Sequence, residues 1–158
     1  MRSTCRFIFI LILFSFRQTA AEQLVLDSDR KEYIIGKKLE ILKDSERKIK
    51  IEDLISGCCE TSFELSISDN PGFHDHTAVY WLRFHIHNKD EINNEWILAL
   101  GNNNVAVFDF YLIDENSKIK KFNQGGNLFD KSKRSIEYDE VAHNFKLNYN
   151  EHATIYIK

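Results

Sequence analysis

Residues Val79-Tyr80-Trp81-Leu82-Arg83-Phe84-His85-Ile86-His87-Asn88 alternate in a way that suits an extended strand and little else. Tyr80, Leu82, Phe84 and Ile86 occupy every second position, so a period of two points all four into a core, while Trp81, Arg83, His85 and His87 face the other way. That second face carries an aromatic plate, a guanidinium fork and two imidazoles. Two readings fit it. On an open sheet face the set is a recognition surface; in a sandwich of two sheets Trp81 is core and Arg83 is the ion-pair partner of a nearby acid.

The rest of the chain reads as short strands separated by turns. Leu24-Val25-Leu26 is a lead-in strand, Tyr33 to Gly36 and Leu39 to Leu42 are extended pieces, and Asp44 to Lys48 is a charged turn. Ile51 to Ile55 has helical spacing over barely one turn and is stopped by Gly57, which predicts a short helix. Ser62 to Ser68 alternates as a half-buried strand, and Asp69-Asn70-Pro71-Gly72 is a turn. Glu95 to Leu100 reads as the return strand of a hairpin, with Trp96, Leu98 and Leu100 on one face. Further strands are expected at Val105 to Ile113, Lys118 to Phe122, Val141 to Leu147 and Ala153 to Ile157, with a polar stretch around Arg134. About nine or ten strands punctuated in this way predict an all-β chain, an antiparallel β-sandwich with one short helix. Twelve Phe and six Tyr against one Met and one Pro agree with sheet.

A length of 158 residues allows one domain with a proper core. Arg2 and Arg6, the apolar run Phe7 to Phe16 and the small residues Thr19-Ala20-Ala21 read as a secretory signal peptide over 1–21, leaving a single domain over 22–158. An uncleaved anchor is the alternative, but the run is short for a bilayer. Cleavage removes three arginines from a chain whose formal charge is already −3, which argues against nucleic acid or anionic lipid as partner and for a soluble, exported domain in the periplasm or at the cell surface. Cys58 and Cys59 are then the remaining cysteines. Adjacent cysteines do not make a disulfide framework; a pair of small residues at a strand edge, a soft-metal ligand pair and an intermolecular bridge are their three readings.

No nucleophile elbow, zincin helix, phosphate loop or cysteine–histidine pattern occurs, so nothing supports an enzyme. His74-Asp75-His76 and His85-x-His87 have spacings that zinc or copper can use, and Asp27-Ser28-Asp29 or the acidic loop Asp69 to Asp75 could hold calcium, though solvated loops and, for His85 and His87, an exposed strand face are the preferred reading. No cofactor is firmly implied. Aromatic stacking with polar neighbours is how a sheet face holds a sugar. Trp81, Arg83, His85, His87 and Asn88 are therefore the candidate ligand-binding residues, with a saccharide or other small molecule as ligand. The alternative is a non-catalytic interaction or dimerisation module in which Trp81 and Arg83 anchor a protein interface.

Leu39-x-x-Leu42-x-Asp44, the Ile51 to Leu54 helix, Phe63, Pro71-Gly72-Phe73 and Val79-x-Trp81-Leu82-Arg83-Phe84-x-Ile86-x-Asn88 resemble the type 2 extracellular sensor domain of bacterial seven-transmembrane receptors with diverse intracellular signalling modules. Leu98, Tyr111-Leu112-Ile113-Asp114, Gly125 or Gly126, Arg134, Phe145-x-Leu147 and Ile155-Tyr156-Ile157 are similar to its later landmarks. The resemblance spans roughly residues 30 to 158 and is sharpest in the Trp-x-Arg-x-x-x-x-Asn run. It implies a jelly-roll sandwich similar to carbohydrate-binding modules, and a ligand sensor that signals through a membrane-embedded partner. The expected output module is absent from the chain, so the reading is of a truncated receptor, a free-standing secreted relative or a partner of separate membrane components.

Overall fold

The computed structural model describes residues 22–101, 106–126, 128 and 141–158. Val79–Asn88 forms β4, the longest strand, and the others are built around it. β1 (Leu24–Leu26), β2 (Glu40–Asp44), β3 (Glu64–Leu65), β6 (Phe108–Asp114), β7 (Ile119–Gly125) and β9 (His152–Ile157) join it in one seven-stranded sheet. The order is β3-β2-β4-β9-β6-β7, with β1 beside β4 off that path. One edge of β4 serves two partners in succession: β2 runs antiparallel along Val79 to Arg83, and β1 runs parallel along Ile86 to Asn88. β5 (Glu95–Leu100) and β8 (Val141–Lys146) pair antiparallel as a second, two-stranded sheet. The chain is an all-β sandwich with, among the described residues, one short α-helix, α1 (Ile51–Ile55).

The main core fills the space between the sheets. Phe84 and Ile86 of β4, Phe108, Phe110 and Leu112 of β6, and Ile155 and Ile157 of β9 meet Leu98 of β5 and Phe145 of β8. Alternation supplies all of them from single faces, and such burial dominates the stabilisation of a sandwich. The opposite face of the large sheet is also covered at one end. There α1 lays Ile51 and Leu54 over Leu42, Trp81, Ile113 and Tyr156. The helix begins with the Asp53 carboxylate accepting from the Lys50 backbone N–H at 2.9 Å. It ends where Gly57, at φ 78°, and Cys58 donate back to the carbonyls of Leu54 and Asp53, the hydrogen-bond pair of a glycine-terminated helix.

Three expectations need correction. Glu95–Leu100 is a strand with Leu98 inside, yet it pairs with β8 rather than returning along β4. Asn88 makes the difference: its Nδ2 donates to the Asn93 and Leu147 carbonyls at 3.0 and 2.7 Å, its Oδ1 accepts from the Asp90 N–H at 2.9 Å, and the turn crosses to the other sheet. Ser62 to Ser68 is not a half-buried strand. Ser62 belongs to a 3-10 turn, strand geometry is limited to Glu64–Leu65, and Leu65 and Ile67 point outward while Ser66 is buried with its hydroxyl on the Ser68 carbonyl. Tyr33 to Gly36 forms no strand: Ile35 has helical backbone angles and Gly36 opens a 3-10 turn, Gly36–Lys38. The expected start of β6 at Val105 and the landmark Arg134 lie outside the described residues.

Candidate functional site

Along the outer face of β4 the side chains pass from interior to surface. Trp81 has no exposed area and Arg83 is 3% exposed, so of the two readings of this face it is the core tryptophan and ion-paired arginine that the structure shows, and neither side chain stands open to a ligand. The reason is α1 and the 3-10 turn at Glu60–Ser62, which roof that end of the sheet. Trp81 packs beside Tyr111 with ring centroids 6.0 Å apart, and Lys158 Nζ lies 5.3 Å over the indole. Arg83 donates from Nε to Glu40 Oε2 at 2.7 Å and from Nη1 to Glu60 Oε2 at 2.6 Å, with its guanidinium 4.1 Å over the Phe63 ring. Its pairing with these carboxylates holds it charged despite the burial that opposes this. The hydrogen bond from Arg83 holds the Glu60 carboxyl below its ordinary range. Asn88 is wholly enclosed and spends its amide on the crossing turn.

Beyond Arg83 the roof ends. His85 is partly open, its Nδ1 3.0 Å from Thr154 Oγ1 across the β4–β9 pair. Burial, then the nearby Arg83 charge, lowers its pKa, so the imidazole is neutral at neutral pH. His87 is two register pairs further on, opposite His152, and the two rings stack at 3.8 Å between centroids and 22° between planes. His87 Nε2 donates to Asn150 Oδ1 at 3.2 Å, an oxygen it shares with Lys89 Nζ. His152 Nδ1 accepts from Gln23 Nε2 at 3.0 Å, which leaves the proton of its neutral ring on Nε2. Burial lowers the His87 pKa as well, against the opposing Asn150 bond and with help from its neighbours His152 and Lys89.

Here the face opens into a cleft of about 200 Å³ lined by Gln23, His85, Asp114, Glu115, His152 and Thr154. Its lining brings Gln23, just before β1, His85 of β4, and His152 and Thr154 of β9 together with the carboxylates of Asp114 and Glu115 where β6 ends. Asp114 is held in place by the backbone N–H groups of Asn116 and Lys118, both 2.9 Å from its Oδ1. Of the five residues proposed from sequence, His85 borders the cleft and His87 props His152 from behind. Trp81, Arg83 and Asn88 are interior. Gln23, Asp114, Glu115, His152 and Thr154 were not singled out, because they reach the cleft from strands far apart in sequence.

Among the described residues no group of three or more His, Cys, Asp or Glu is disposed to hold a metal ion. The acidic loops are engaged locally: Asp27 Oδ1 accepts from the Asp29 N–H and the Tyr33 hydroxyl, and Asp75 pairs with Lys43 and Thr77.

The two histidines predict a pH effect. Both have folded pKa values below the unfolded value of ~6.5, so the unfolded chain binds more protons as pH falls and the fold loses stability. The melting temperature is expected to hold above pH ~7 and to fall as the pH drops below about 6.5. His85→Gln and His87→Gln should flatten that descent; a profile equally steep in both variants would remove the histidines as its cause.

The sequence matches the family described as 7TMR-DISM extracellular 2 over residues 36–158. No curated protein and no solved structure matches the chain. Among the described residues no helix is long and apolar enough to cross a membrane.

Proposed function

The chain belongs to the 7TMR-DISM extracellular 2 family, and we propose from that premise that it is a ligand-sensing domain whose cleft takes a small polyhydroxy compound of the saccharide class. The family is one of extracellular sensor domains of membrane signalling receptors, non-enzymatic in kind, which supports a place outside the membrane and a binding role. A membrane-embedded signalling component is its partner in this reading.

The carrying observation is the cleft itself. Side chains from widely separated parts of the chain converge there, and amide, imidazole and hydroxyl groups beside two carboxylates are a set that can orient the hydroxyl groups of a ligand. Its volume is below the roughly 300–1,000 Å³ of drug-sized sites, so a single sugar ring suits it better than a long oligosaccharide. Trp81 is not available as a stacking plate, and recognition rests on hydrogen bonds, with the imidazole faces of His85 and His152 as the apolar complement.

A panel of mono- and disaccharides should yield at least one that raises the melting temperature of the full chain and binds in calorimetry. Gln23→Ala and Thr154→Val should each weaken that ligand about tenfold, the worth of one lost hydrogen bond. If every saccharide leaves the melting temperature unmoved, or the hits bind both variants unchanged, the assignment fails. A second reading, a pairing module, draws on Ile119 and Phe122, which stand exposed on the edge strand β7. Sedimentation at high concentration separates the two readings, since a strictly monomeric chain excludes self-pairing.

A further inference from the structure

Cys58 and Cys59 sit between two fixed turns on the roof of the sheet. On one side the helix terminus binds the Cys58 N–H to the Asp53 carbonyl at 3.1 Å; on the other the Ser62 N–H donates to the Cys59 carbonyl at 3.0 Å. Their Sγ atoms lie 2.9 Å apart, Cys58 is exposed, and Cys59 packs against the cluster that contains Leu42 and Trp81. We propose that Cys58 and Cys59 form a reversible oxidation site that closes a vicinal disulfide when the domain meets a disulfide oxidant.

The sulfurs already face one another and have only to approach to the ~2.04 Å of a bond. An extracellular domain lies where disulfides form and persist. The Cys58 thiolate attacks one sulfur of a small-molecule disulfide, forming a mixed disulfide and releasing one thiolate. Cys59 then gives up its proton and attacks Cys58 Sγ, releasing the second. Two protein thiols lose two electrons and two protons, and one external disulfide becomes two thiols. Contact with Cys58, then burial, pushes the Cys59 thiol up to about 11, and the exposed Cys58 is the sulfur that an external disulfide reaches first.

The closed bond is a switch and not a staple. Cα atoms across a trans peptide are ~3.8 Å apart, short of the ~4.4–6.8 Å that unstrained disulfides span, so the ring is strained and readily reduced. Glu60 follows Cys59 directly and holds Arg83 at 2.6 Å, which ties the redox state of the pair to the buried charge cluster beside His85.

The full chain is to be equilibrated in glutathione buffers from fully reduced to fully oxidised, acid-quenched, alkylated and mapped by peptide mass. The expected result is that the peptide carrying residues 58 and 59 loses two hydrogens and resists alkylation once the glutathione disulfide is in excess, and regains both thiols in dithiothreitol. Cys58→Ser, at an exposed position, and Cys59→Ser, a near-isosteric change at the edge of the cluster, should abolish the two-hydrogen loss and leave a glutathione adduct on the remaining thiol. Recovery of two free thiols, two glutathione adducts or an intermolecular bridge at this peptide under every buffer would overturn the proposal.

Discussion

Replacing Arg83 by methionine is expected to lower the unfolding free energy by about 3–5 kcal/mol, the cost of breaking a buried ion pair from one side. The loss comes from what stays behind. Glu40, 9% exposed, faces the guanidinium at 2.7 Å and has His85 Nε2 at 3.7 Å as its other basic neighbour. A neutral His85 gives that carboxylate little help, and leaving it charged in the interior is far costlier than losing an attraction in water. Glu60 is half exposed and returns to solvent at small cost. The double variant Arg83→Met/Glu40→Leu should therefore recover most of the loss, since paired hydrophobic replacements of a buried ion pair are often neutral. Urea denaturation of the two variants checks this. A single variant that loses less than about 1 kcal/mol would mean that Arg83 behaves like an exposed ion-pair residue.

The second large effect is expected at Trp81. Truncation to alanine removes the side chain that α1 packs on and should cost about 3–5 kcal/mol, with the α1 amides losing hydrogen-exchange protection first. Phenylalanine is the informative comparison. The Trp81 indole N–H is buried with no hydrogen-bond partner among the described residues, and an unpaired buried donor costs about 1–3 kcal/mol. Trp81→Phe relieves that cost while leaving a smaller cavity, so its net effect should stay under about 2 kcal/mol.

Much of this was legible in the residues themselves. The alternation of 79–88 gave the strand and put Trp81 and Arg83 on the face opposite Phe84 and Ile86, because side-chain direction in a strand depends only on parity. Helical spacing closed by Gly57 gave α1. What covers a face is another matter. A helix of five residues carries no sign of which sheet it roofs, so an aromatic and an arginine on the second face read equally as open surface or as the floor of a small core. Strand pairing is non-local in the same way: β5 has the pattern of a hairpin partner, and the choice of β8 rests on the Asn88 bonds to Asn93 and Leu147, the latter 59 residues away. The cleft escaped for the same reason. His152 meets His87 across 65 positions, and Gln23 is placed by the parallel pairing of the strand that follows it, neither of which any spacing encodes.

The account turns on a covered indole at the roofed end of β4 and an open polar cleft beyond it. Acrylamide quenching of a Trp96→Phe variant, which leaves Trp81 as the sole tryptophan, tests this directly. A blue-shifted emission that acrylamide scarcely quenches until the chain is unfolded is the predicted result. Red-shifted emission quenched as readily as free indole would contradict it, and would return Trp81 to the surface as a ligand plate.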